Sequence, residues 1–103
     1  MEINKFNSIC GGTPLVKINE HLYAKLETYN PTGSVKDRMI SYVVDIAIKS
    51  GLINEKTILC EATSGNSGIS LAAVAASLGL KCVIFMPSNM SKERKQMMKA
   101  YGA

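Results

Sequence analysis

The period of the apolar positions changes along this 103-residue chain, and each change marks an element. In Thr13–Ile18 (TPLVKI) and His21–Glu27 (HLYAKLE), short apolar runs with polar interruptions predict two strands joined by a turn at Asn19–Glu20. From Ser34 the spacing lengthens. Val35, Met39, Val43, Ile46 and Ala47 recur at helical intervals, and Gly51 is placed to end the run. Ser34 stands where an N-cap is expected, and Asp37 three residues later completes an S-x-x-D capping box. Thr57–Glu61 (TILCE) reads as a buried strand, followed by the loop ATSGNSG and an Ala/Leu-rich helix from about Ile69 to Leu78, closed by Gly79. Lys81–Pro87 (KCVIFMP) predicts the next strand, and Ser91–Tyr101 the next helix. Strand, helix, strand, helix with short links predicts a parallel α/β layer. The two opening strands stand outside that alternation, which places them in a second sheet. There are no internal repeats and no low-complexity segments.

Composition narrows the class. Apolar residues make up 47% and charged residues 19%, a balance that excludes a disordered chain. The net charge of +4 permits anionic ligands. The basic residues are scattered, and the one concentrated run, Lys92–Lys99 (KERKQMMK), is interrupted by Glu93 and reads as the solvated face of a helix. Nucleic-acid binding is therefore not expected. Cys10, Cys60 and Cys82 form no CxxC pair, which argues against a disulfide framework or a zinc site. Cys60 and Cys82 lie in apolar runs and are expected to behave as small buried hydrophobes. Cys10, beside Gly11–Gly12, has no basic neighbour in sequence to make it a nucleophile. The opening MEINKFNS is too polar for a signal peptide and no apolar run reaches membrane-spanning length, so a cytoplasmic protein without membrane partners is expected.

Two features carry chemistry. The loop Thr63–Gly68 (TSGNSG) sits between a strand and a helix. Its small residues let backbone amides approach a ligand, and the helix start adds unpaired N–H groups and partial positive charge. Thr63, Ser64, Asn66 and Ser67 add side-chain donors, so the natural guest is a carboxylate or a phosphate. Neither GxxxxGK[ST] nor GxGxxG is present, and an ordinary βα turn of small residues has the same composition. The second feature is Lys36, which follows the turn Asn30–Ser34 at the mouth of a helix. Most lysines so placed simply face solvent. Yet the helix dipole disfavours a cation in a first turn and favours the neutral amine, the form that makes a Schiff base with an aldehyde.

At these residues the chain resembles the cysteine synthase, or O-acetylserine sulfhydrylase, family of fold type II pyridoxal-phosphate enzymes. Asn30–Arg38 (NPTGSVKDR), Glu61–Ala72 (EATSGNSGISLA) and Met86–Ala103 (MPSNMSKERKQMMKAYGA) match its motifs in order, and GGTPLV and YAKLE fit its opening. The resemblance implies that Lys36 holds pyridoxal 5'-phosphate and moves protons at the substrate's α-carbon. It implies that Asn66 bonds the cofactor's ring oxygen. Thr63, Ser64, Gly65, Asn66 and Ser67 would close on the substrate's α-carboxylate. The implied reaction is β-replacement, in which acetate leaves O-acetyl-L-serine and sulfide takes its place. The implied assembly is a homodimer, with serine acetyltransferase as a further partner.

Two positions depart from the family pattern. Gly12 stands where asparagine is usual in GNTPLV, and Ser67 where threonine is usual in TSGNTG. Serine keeps the hydroxyl, while the identity of the acyl donor is left open. The motif GSVKDR favours this branch over threonine dehydratases and serine racemases. The family also continues well beyond the point that AYGA marks. By resemblance, residues 1–33 are opening strands that pair with a larger domain, and residues 34–103 are part of the smaller, parallel three-layer α/β domain carrying the lysine and the loop. The expectation is an amino-terminal part of the enzyme, inactive by itself. The alternative is a truncated, non-catalytic relative that binds an anion or another protein.

Overall fold

A computed structural model describes residues 1–103. The elements are, in chain order, helix α1 (Asn4–Ser8), strands β1 (Leu15–Asn19) and β2 (Leu22–Lys25), a single 3-10 turn (Glu27–Tyr29), helix α2 (Lys36–Lys49), strand β3 (Ile58–Ala62), helix α3 (Asn66–Leu78), strand β4 (Lys81–Phe85) and helix α4 (Lys92–Ala100). The predicted α/β alternation and the separate opening sheet are both present. β1 and β2 pair antiparallel, while β3 and β4 pair parallel across α3, with Ile58 opposite Lys81 and Ala62 opposite Phe85.

Helix α3 organises the core. Every residue from Gly68 to Ala75 is buried, because α2, the β3–β4 pair and α4 all pack against it. A helix enclosed on all sides needs small or apolar residues around its whole circumference, and ISLAAVA supplies them. Val74 is fully enclosed, and Ile40, Val44, Leu59, Leu71 and Leu80 join the same cluster. Ile3, just before α1, and Phe6 within it reach it too, a contribution that the polar opening MEINKFNS conceals. Both long helices end as their glycines predict. The amide of Leu80 donates to the Ala75 carbonyl (2.9 Å) and that of Gly79 to Ala76 (3.2 Å), the paired bonds of a Schellman motif.

Within these residues the helices cover one face of the parallel pair. The other face, with Ile58, Val83 and Phe85, is open, so Cys60 is exposed. The expectation of burial fails for Cys60, because alternate residues of a strand point to opposite faces, whereas Cys82 faces the helices and packs half-buried against the core. The predicted apolar stripe of α2 also lies outside the core: Val35, Met39, Val43 and Ile46 are exposed. The buried face carries Asp37, Ile40, Ser41 and Val44 instead.

The hairpin of β1 and β2 stands away from the rest, and Leu15, Ile18, Leu22 and Tyr23 are each more than half exposed. The radius of gyration is accordingly 14.8 Å, against about 13 Å for a compact domain of this length. A lone two-stranded hairpin is marginal in water, and this one is fastened at its base. Arg38 of α2 donates from Nε to Glu27 Oε2 (2.8 Å) and from Nη2 to Glu27 Oε1 (3.0 Å) and Thr13 Oγ1 (3.1 Å). Thr13 Oγ1 donates to Glu27 (2.6 Å), and the Asn30 amide donates to its other oxygen (2.7 Å). These bonds, led by that of the Arg38 guanidinium, hold the Glu27 carboxyl down at about 2, well below its ordinary value.

Candidate active site

Lys36 is the first residue of α2 and is exposed. Its Nζ makes no ion pair or hydrogen bond; only its backbone amide is engaged, donating to Ser34 Oγ at 3.3 Å. The helix begins at Lys36 and not at Ser34, and the expected capping box does not form. The Asp37 carboxylate, completely buried, reaches past Ser34 and accepts from the Thr32 amide (2.7 Å) and the Thr32 hydroxyl (2.6 Å). It also accepts from Ser70 Oγ of α3 at 2.5 Å. A carboxylate that accepts three bonds in the interior is better satisfied than one that closes a local box.

This buried bond sets the geometry of the site. Asp37 adjoins Lys36, and Ser70 lies one helical turn beyond Asn66, so the amino-terminal ends of α2 and α3 are held side by side. The amine at one helix start and the small-residue loop at the other therefore open at the same end of the molecule, at the carboxyl ends of the parallel strands. That end is where α/β sheets bind ligands.

The helix α3 starts at Asn66, three residues earlier than the Ala/Leu pattern indicates, so Asn66 and Ser67 belong to its first turn. Thr63 Nα–H donates to the Phe85 carbonyl (2.9 Å), carrying the parallel pairing one residue past β3. Thr63 Oγ1 accepts from the Gly65 amide at 3.2 Å, which leaves its own proton free to donate to a ligand. Ser64 and Asn66 are exposed and Ser67 is half-buried. The glycines are there for close approach: a Cβ on Gly68 would lie 2.5 Å from Thr63 Cγ2 and 2.9 Å from Met98 Cε. Beside the loop, Ala62, Thr63, Ser64, Phe85, Met86 and Pro87 line an open groove of about 470 Å³.

Glu61 is a residue the sequence reading passed over as the end of a buried strand. Its Oε2 is buried with no hydrogen-bond partner. Burial pushes its carboxyl above the ordinary value, and the nearby Lys36 charge draws it back. An acidic residue closing an apolar strand run was the available signal. The structure thus brings Lys36, Glu61 and the Thr63–Ser67 loop to one end of the fold. Cys10 lies elsewhere, in a recess with Arg38 and Ser41, so the basic neighbour absent from its sequence surroundings is supplied by the fold. Gly12 is left-handed (φ +57°) with open space where a Cβ would be. Asparagine is one of the few other residues at home in that conformation, so either residue fits the turn.

Residues 7–103 match the profile of a family described as "Pyridoxal-phosphate dependent enzyme". A cysteine synthase of Aquifex aeolicus is 46% identical over 106 residues, an alignment that covers 92% of this chain and 32% of that protein. A hydrogen sulfide-producing enzyme of Fusobacterium nucleatum superposes with a TM-score of 0.87 at 47% identity, covering 94% of this chain and 34% of the other. An O-ureido-L-serine synthase superposes with a TM-score of 0.89 at 39% identity, covering 95% and 33% respectively. The chain spans about a third of the length of the curated relatives it matches.

Proposed function

The chain belongs to the pyridoxal-phosphate dependent enzyme family, and from that premise we propose that it is the amino-terminal part of a cysteine synthase that makes L-cysteine from O-acetyl-L-serine and sulfide. The observation that carries the proposal is the side-by-side placement of an unpaired amine and a donor-rich loop, fixed by the buried Asp37–Ser70 bond. The residues present fit pyridoxal phosphate. Lys36 offers an exposed amine with no competing ion pair, and Asn66 offers an exposed amide. When bound, the cofactor supplies the electron sink that lets the substrate's α-proton and β-substituent leave.

The chain's own residues do the rest. Lys36 would hold the cofactor through its amine and, as the base at this end of the fold, would take and return the proton at the substrate's α-carbon. Thr63, whose hydroxyl hydrogen is free, and Ser64 and Ser67 donate to the substrate α-carboxylate. The unpaired amides of the first turn of α3 add to that binding. Gly65 gives the loop its close approach, and Asn66 would donate to the cofactor ring. The carboxylate anchor fixes the substrate so that its α-carbon meets Lys36, and orientation of this kind is worth up to about 7–11 kcal/mol in favourable cases.

The proposal includes a cytoplasmic homodimer in which the hairpin within residues 1–33 reaches into the larger domain, and a serine acetyltransferase as a further partner. The exposed apolar side chains of the hairpin and of α2 are surface that such packing would cover. The test is turnover by the protein that carries this chain, supplied with cofactor, O-acetyl-L-serine and sulfide. Cysteine should form, and it should not form in the Lys36→Ala variant. Release of acetate without cysteine, or turnover only of a different activated serine, would overturn the assignment.

A further inference from the structure

We infer that Arg94 is a positioning residue for the carboxylate loop, holding the Ser64–Gly65 peptide in the orientation that turns the loop's donors toward the ligand. Arg94 belongs to α4, 30 residues from the carbonyl it reaches: its Nη1 donates to Ser64 O at 3.0 Å. The same guanidinium lies against Gly65, where a Cβ would sit 3.0 Å from both its Cζ and its Nε. The other edge of that peptide is held as well, because the Gly65 amide donates to Thr63 Oγ1 at 3.2 Å. A peptide unit is planar, with its C=O and N–H pointing in opposite directions. Arg94 on one side and Thr63 on the other therefore fix its rotation.

The consequence reaches the ligand through Thr63. While Thr63 Oγ1 accepts from Gly65, its hydroxyl hydrogen must point elsewhere, toward the open side of the loop. Releasing the Ser64 carbonyl lets the peptide turn, withdraws the Gly65 donor and frees the Thr63 hydroxyl to rotate. The hold continues along α4, where Met98 packs against Gly68 at the start of α3. Arg94 is suited to this task and lysine is not: a planar guanidinium can lie on Gly65 and donate sideways at once, whereas an ammonium can only donate. Arg94 is itself exposed, so its loss leaves the core intact.

The inference rests on reading Thr63–Ser67 as the carboxylate site, and the test separates the two. In the protein carrying this chain, hydrogen exchange of the peptide spanning residues 63–68 is measured without cofactor in wild type, Arg94→Ala and Arg94→Lys. The KM for O-acetyl-L-serine, kcat and the affinity for pyridoxal phosphate are then measured in the loaded proteins. Arg94→Ala should speed exchange of the loop and raise KM by roughly tenfold, the worth of a modest charge-assisted hydrogen bond. Its kcat and cofactor affinity should change little, and Arg94→Lys should fall between. Unchanged loop exchange in Arg94→Ala would show that Arg94 does not hold the loop and would overturn the inference. Faster exchange with an unchanged KM would overturn it through the carboxylate reading on which it rests.

Discussion

Replacing Asp37 by alanine removes the anchor that joins the approach to Lys36 with the helix that follows the Thr63–Ser67 loop. The carboxylate is fully buried and accepts from the Thr32 amide, the Thr32 hydroxyl and Ser70 Oγ at 2.7, 2.6 and 2.5 Å. A hydrogen bond to a charged group contributes about 1.5–3 kcal/mol net, and bonds that share one acceptor do not add fully, so the loss comes to roughly 3–5 kcal/mol. Against a typical total of about 5–15 kcal/mol that is a large share. Relief from burying the carboxylate offsets only part of it, because the Thr32 amide loses its partner and the Thr32 and Ser70 hydroxyls, 3.5 Å apart, are left with only each other. The assay is urea denaturation followed by circular dichroism, in which the midpoint should fall with little change in slope. Ser70→Ala, which takes away one of the three bonds, should cost about 1–2 kcal/mol. Asp37→Asn should lie between the two, since its amide nitrogen confronts a donor of Thr32. An Asp37→Ala protein within 1 kcal/mol of wild type would refute the reasoning, and with it the claim that this bond sets the site's geometry.

Three further outcomes follow from other contacts. Glu27, held at about 2 against an ordinary 4.5, contributes stability that is complete above pH 4.5 and is lost as the pH falls toward 2. The stability gap between wild type and Glu27→Gln should therefore close across that window in an acid titration, and a constant gap would contradict the role of the Arg38 pair. Glu61, whose carboxyl is raised by burial, penalises the folded state once it ionises; Glu61→Gln should stabilise the cofactor-free protein at neutral pH and lose that advantage in acid. Denaturation midpoints at pH 4 and pH 7 that shift equally would count against it. Ser67→Ala should weaken substrate binding by roughly ten- to hundred-fold, one hydrogen bond to a charged group, while pyridoxal phosphate is retained. Loss of cofactor with substrate affinity untouched would reverse the assignment of the loop.

Much of the architecture was legible because it is local. The change from strand spacing to helical spacing, the closing glycines at 51 and 79 and the TSGNSG loop all announce themselves within a few residues. What was not legible depends on distant partners. The Ser34–Asp37 spacing fits a capping box, but Asp37 is claimed by Ser70, 33 residues away, and no local pattern reports that. Helix α2 carries apolar residues on two faces, and periodicity does not say that Ile40 and Val44 face the core while Val35, Met39 and Val43 face outward. Cys60 falls on the open face of β3 for the same reason: burial belongs to the covering elements and not to the run of apolar letters. Arg94 looked like one cation in a solvated helix face, and only the fold brings it to Ser64.

The central claim is that Lys36 is the cofactor's amine, with the loop at Thr63–Ser67 beside it. The most direct measurement is to load the protein carrying this chain with pyridoxal phosphate, reduce it with borohydride, digest it and locate the pyridoxyl group by mass spectrometry. A single labelled peptide should result, with the group on Lys36, and none in Lys36→Ala. A pyridoxyl group on any other lysine of the wild-type protein would contradict it.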